Sequence, residues 1–167
     1  MRLLALAALL AAAWAERGTL ADAWPWWFGG AAPTLARPLA TLSPALDPAA
    51  LAARLGAPPL RCQDTDAGRQ CEGTVPAAPG GRAAATLQAR WVQGRLAEAA
   101  FHLPWAGWQP AARALVAQLG APTALDIQPP GAIVWLPPGG AVRLPQAPGW
   151  SPWQPVTVRW NARPAPG

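Results

Sequence analysis

Lysine and tyrosine are absent from the chain, histidine occurs once, and serine and cysteine occur twice each. Each scarcity closes a chemical route. Without lysine there is no Schiff-base nucleophile, and without tyrosine no phenolic acid. Ser43 and Ser151 each stand beside a proline, and neither lies in the Gly-x-Ser-x-Gly elbow that presents a nucleophilic hydroxyl. His102, between Phe101 and Leu103, falls on the polar side of an alternating stretch, where a surface or partly packed histidine belongs. Two thiols and one imidazole fall short of the four ligands of a structural metal site, so neither a metal nor a cofactor is expected.

Carboxylates are what remain, and Glu98 is the one carried by the central stretch 86–103. A hydrolase working with two acids needs a pair facing one cleft, and no spacing here announces such a pair. The segment Asp64-Thr65-Asp66-Ala67-Gly68 starts like a calcium loop. It lacks the third acid and the closing glutamate, and its glycine comes one residue early, so a hairpin turn is the better reading. The inventory as a whole argues against an enzyme.

Charge bounds the partners. All 13 basic residues are arginine, the net charge is +5, and the arginines are scattered rather than clustered. A nucleic-acid groove needs a basic stripe, so nucleic acid is not an expected partner. A mildly basic surface suits an anionic membrane surface, or serves solubility alone. All-arginine usage beside abundant alanine, glycine and proline suggests a high-GC bacterial genome.

The first residues point to export. After Met1-Arg2, residues 3–15 carry no charge, and the run is shorter than the roughly 20 residues a membrane-spanning helix needs. It ends Ala13-Trp14-Ala15, with small residues at the −3 and −1 positions of a cut before Glu16, as in a secretory signal. Two readings of 1–15 stand side by side: a cleaved signal peptide, or a retained anchor. Cys62 and Cys71 flank a turn rich in Asp and Gly, and in an exported chain that spacing predicts a disulfide. Both features lead to a periplasmic or secreted location, with membrane association left open.

Residues 16–46 read as an irregular, Trp- and Pro-rich segment. Trp24, Trp26, Trp27 and Phe28 crowd together there, either as a membrane-proximal belt or as a plug for the following core. An α+β domain is expected over 47–160, followed by a Pro-rich tail at 161–167. Asp47-Pro48 is a helix start and Gly56 its stop. Residues 60–64 and 69–75 form the cysteine-bearing hairpin, and the alternation in 86–92 and 95–103 predicts a stronger one about Gln93-Gly94. A second helix runs from about Pro110 to Leu119. Three further strands are expected at 132–136, 141–144 and 156–160.

The two helices end alike: residues 50–58 and 114–122 match at seven of nine positions, both closing on Leu-Gly-Ala-Pro. The prediction is two helix-plus-antiparallel-strand units, 47–104 and 105–160, around one or two small sheets. This doubled unit, a helix closing on Leu-Gly-x-Pro and then several antiparallel strands, resembles the beta-lactamase-inhibitor-protein architecture. The single unit is similar to the SmpA-type outer-membrane-assembly lipoprotein. The glycine that precedes the helix in those families and the lipoprotein cysteine are missing here. The resemblance implies a fold and a binding role, and it carries over no functional residue.

The domain's most unusual content is tryptophan. Trp105-Ala106-Gly107-Trp108-Gln109-Pro110 and Trp150-Ser151-Pro152-Trp153-Gln154-Pro155 share the phrase Trp-x-x-Trp-Gln-Pro. Rigid aromatic rings at element edges make Trp105, Trp108, Trp150 and Trp153 a candidate binding surface. The competing reading is that they staple loops onto a core with little phenylalanine. The preferred function is an exported, non-enzymatic binding or accessory protein whose partner is another envelope protein. The alternatives are a membrane-tethered subunit and a small carboxylate-dependent hydrolase acting on envelope carbohydrate.

Overall fold

The most regular stretch of the sequence builds the middle of the structure. In the computed structural model, which describes residues 39–76, 83–127, 131–149, 151 and 153–163, strands β3 (Ala83–Val92) and β4 (Arg95–Leu103) form an antiparallel hairpin. Gln93 and Gly94 make its turn, both at positive φ (52° and 73°), the conformation that matches strand twist in a two-residue turn. Leu87, Ala89 and Trp91 point inward with Leu96, Ala99, Phe101 and Leu103. A bulge between Arg90 and Trp91 keeps that pattern: Arg90 faces Glu98 while Trp91 faces Leu96, so Ala97 is the extra residue.

On one side of this hairpin lie β2 (Gly68–Pro76) and β1 (Arg61–Thr65). Cys62 stands directly opposite Cys71 in their register, and the two form a disulfide. The turn between them is a hairpin turn, with Thr65 Oγ1–H donating to Gly68 O (2.7 Å) and Asp64 paired with Arg69 (2.9 Å). The other side is built from β8 (Val156–Ala162), β7 (Gly140–Pro145), β6 (Ala132–Trp135) and β5 (Ala124–Asp126). The strand order is β1-β2-β3-β4-β8-β7-β6-β5, antiparallel throughout. One eight-stranded sheet therefore stands where one or two small sheets were expected. Strand β5 was not anticipated.

Helix α1 (Pro48–Leu55) begins as its sequence dictates. Asp47 caps it by accepting from Ala50 N–H (2.7 Å), and Pro48 occupies the first turn, where no N–H is needed. Gly56, at φ 60°, ends it: Gly56 N–H donates to Ala53 O and Ala57 N–H to Ala52 O, the paired bonds of a Schellman cap. Helix α2 (Trp108–Leu119) starts two residues before Pro110, after a 3-10 turn at Trp105–Gly107. Pro110 is tolerated because it sits in the first turn. Its terminal Gly120 is at φ 78°, ψ −159°, so the shared Leu-Gly-Ala-Pro closes the two helices with different backbones.

Both helices cover one face of the sheet. Leu51 and Leu55 of α1, with Ala111 and Leu115 of α2, join a single buried cluster with the inward residues of the strands, including Phe101, Val158 and Trp160. Residues 39–46 also enter that core through fully buried Leu39 and Leu42. They act as a strap. Leu39 N–H donates to the Gln118 side chain (3.2 Å), Leu96 N–H donates to Pro44 O (2.9 Å), and Trp91 Nε1–H donates to Leu46 O (2.7 Å). Gly139 lies so close to Leu42 that an added Cβ would fall 2.0 Å from its carbonyl oxygen. Among the described residues, no helix is long and apolar enough to cross a membrane. Residues 1–15 and the aromatic run Trp24, Trp26, Trp27 and Phe28 lie outside the described residues.

Candidate functional site

Alternation along eight paired strands sorts side chains onto two faces, and the face away from the helices carries the polar ones. Following the pairings across the sheet gives one row with a residue from every strand: Arg61, Glu72, Gln88, Ala100, Arg159, Arg143, Val134 and Ala124. Ala100 is the low point, nearly buried between long neighbours.

Three depressions lie along this row, each sharing lining residues with the next. The first, about 500 Å³, is lined by Pro58, Pro59 and Arg61, and shares Glu72 and Gln88 with the second. The second, about 250 Å³, has Ala100 in its lining, together with Arg90, Glu98 and His102. Arg159 joins it to the third, about 310 Å³, lined by Arg143, Thr157, Asp126 and Ala132. The result is a row of three neighbouring depressions from β1 to β5 that mixes polar and apolar lining.

Its side chains are held by one another. Glu98 forms ion pairs with Arg159 Nε (3.0 Å) and Arg90 Nη2 (3.6 Å), one at each of its oxygens. Arg143 reaches Asp126 at 3.5 Å. A hydrogen-bonded chain crosses four strands: Gln88 Nε2–H donates to Glu72 (3.5 Å), Gln88 Oε1 meets His102 Nε2 (3.3 Å), and His102 Nδ1 meets Thr157 Oγ1 (3.0 Å). Because Gln88 turns its amide N–H to the carboxylate, its oxygen faces His102. This hydrogen-bonded chain fixes these side chains relative to one another. Among the described residues, no three His, Cys, Asp or Glu side chains come together to hold a metal ion.

The tryptophans sit elsewhere. Trp105 Nε1–H donates to Gly149 O (2.7 Å) and Trp108 Nε1–H to Pro145 O (2.8 Å), so the first Trp-x-x-Trp pair ties the start of α2 to the 145–149 loop. Trp135 Nε1–H likewise donates to Gly120 O (3.0 Å). Trp105 is 39% exposed and Trp153 is 76% exposed. Trp150 lies outside the described residues, so the four edge tryptophans are not seen together. Of the residues lining these depressions, the sequence singled out Glu98 and His102 but not Arg143, Arg159, Glu72 or Gln88, which are ordinary polar residues at alternating positions and are aligned only by strand register.

The Cys62–Cys71 disulfide points to an oxidising compartment. No protein-family model matches the chain, and neither a curated protein nor a solved structure shows significant similarity to it.

Proposed function

We propose that the chain is an exported, non-enzymatic binding protein of the bacterial cell envelope, an accessory subunit that takes another envelope protein on the sheet face away from its helices. The observation that carries this reading is the row of three neighbouring depressions across that face, lined by small residues such as Ala100 and by ion-paired side chains such as Glu98 and Arg159. A rigid sheet with cross-linked side chains loses little conformational freedom on binding, which favours recognition. The disulfide supports a periplasmic or secreted setting. Strand order supports the doubled unit: α1 precedes the meander β1 to β4, α2 precedes the meander β5 to β8, and the meanders meet edge to edge at β4 and β8.

A carboxylate-dependent hydrolase is the second reading, because Glu72 and Glu98 line the same depression. Against it stand the two guanidinium groups on Glu98, an arrangement suited to a structural ion pair rather than a proton donor. In the tethered alternative, residues 1–15 are retained; N-terminal sequencing of protein from the envelope separates the two, a start at Glu16 meaning release.

The test of the binding role is affinity capture from gently solubilised envelopes, with wild type and Ala100→Phe side by side. The phenyl ring fills the second depression without entering the helix-side core. A partner held by wild type and lost from the variant supports the reading. A partner held by both contradicts the face, and the absence of any partner contradicts the role.

A further inference from the structure

We infer that Arg143 and Arg159 together form a receptor for one carboxylate, carried by an acidic side chain of the protein partner. The inference rests on the proposed role of this sheet face and names the chemistry that the face selects.

Arg143 and Arg159 are direct cross-strand partners on β7 and β8. Like charges in that position destabilise a sheet, so their pairing is a cost in the free protein. Each has a carboxylate beside it. Arg159 Nε lies 3.0 Å from Glu98, and Arg143 Nη1 lies 3.5 Å from Asp126. Glu98 is also shared with Arg90. The depression that both arginines line holds two guanidinium groups and, among its lining residues, one carboxylate, Asp126. Both arginine side chains are about half exposed, at 51% and 54%, which leaves guanidinium surface accessible to a ligand.

The space fits the same conclusion. The depression that both arginines line measures about 310 Å³, with Gly131 and Ala132 keeping it open. Gln146 secures its wall, donating from its side chain to Asp126 O (3.2 Å) and from its backbone to Gly131 O (3.3 Å). A carboxylate accepts paired N–H bonds from a guanidinium fork and carries a single negative charge. A phosphate carries up to two charges and would crowd Asp126 and Glu98 on either side. The depression lies at the surface beside the next one, with Arg159 in the lining of both, so a side chain on an extended partner segment can enter it.

The test uses purified protein labelled with ¹⁵N, following the arginine Nε–H signals at constant ionic strength. An acetylated and amidated Ala-Glu-Ala tripeptide, acetate and inorganic phosphate are titrated separately. The tripeptide and acetate are expected to shift the Arg143 and Arg159 signals saturably, while Arg69, already tied to Asp64, and Arg113 on α2 stay still. Arg143→Gln is expected to weaken tripeptide binding about tenfold, the worth of one charge-assisted pair, with Arg143→Lys between the two. It is also expected to melt no lower than wild type, because the like-charge contact is gone; should it fail to fold, Arg159→Gln gives the same reading.

Drift shared by all arginines without saturation overturns the site. Phosphate saturating the pair where acetate does not overturns the carboxylate assignment. Partner capture abolished by Ala100→Phe yet untouched by Arg143→Gln overturns this inference alone. Capture unaffected by either substitution overturns the surface reading beneath it.

Discussion

Trp135 and Trp160 offer a matched pair for measuring what a buried indole N–H contributes. Both are almost fully buried on the helix side of the sheet, and both pair with Val142, Trp135 from β6 and Trp160 from β8. They differ in one respect. Trp135 Nε1–H donates to Gly120 O at 3.0 Å, whereas Trp160 Nε1 is buried with no partner. Replacing each by phenylalanine deletes the same atoms, so the transfer and cavity contributions largely cancel in the comparison. At Trp135 the substitution also removes a hydrogen bond worth about 1 kcal/mol, and exposed Gly120 recovers its acceptor partner from water. At Trp160 it removes an unsatisfied donor, relieving a desolvation penalty of about 1 to 3 kcal/mol. Trp135→Phe should therefore be less stable than Trp160→Phe by about 2 to 4 kcal/mol. With a urea m-value of about 2 kcal/mol/M, the two midpoints separate by about 1 to 2 M. Urea denaturation followed by far-UV circular dichroism reads this directly. Equal midpoints, or a lower one for Trp160→Phe, would refute the reasoning.

Three further perturbations have defined outcomes. Replacing both cysteines by alanine opens a cross-link of sequence separation 9, whose chain-entropy worth is about 2.6 kcal/mol, and denaturant titration should show a loss of about that size, unlike a merely decorative bond. Gly139→Ala drives a methyl group against Leu42 O and should cost about 2 kcal/mol or more, with faster amide exchange at Leu39 and Leu42 as the strap loosens; an unchanged melting temperature contradicts that contact. The Arg69 hydrogen bond and charge hold the Asp64 carboxyl below the ordinary aspartate value. A depressed folded value means that the small stabilisation is present above the unfolded value and is lost as pH falls through the folded one, and a ¹³C titration of Asp64 should move upward in Arg69→Gln.

The local signals in the sequence carried most of the elements. Alternation about Gln93-Gly94, the Asp47-Pro48 cap and the Cys62–Cys71 spacing each specify local structure through a backbone or covalent rule, and each corresponds to a feature of the fold. Strand β5 left no such trace: it is three residues long, with Ala124 and Leu125 exposed, and alternation cannot be read over so short a span. The strap at 39–46 was hidden by its prolines, which read as punctuation while Leu39 and Leu42 between them were entering the core. The merging of two meanders into one sheet depends on β4 meeting β8 across more than fifty residues of chain, a tertiary event with no local signature. The row of depressions was invisible for the same reason. Arg143 and Arg159 become a pair only through the register of β7 with β8.

The central claim is that the sheet face away from the helices is where the partner sits. It is tested most directly by placing a photo-crosslinking amino acid at Gln88 or Thr86 on that face, and at Val116 on the exposed side of α2, in the cells that make the protein. Irradiation should join the chain to one discrete envelope protein from Gln88 and Thr86, and to none from Val116. The same adduct from Val116, with none from Gln88 or Thr86, would contradict the account.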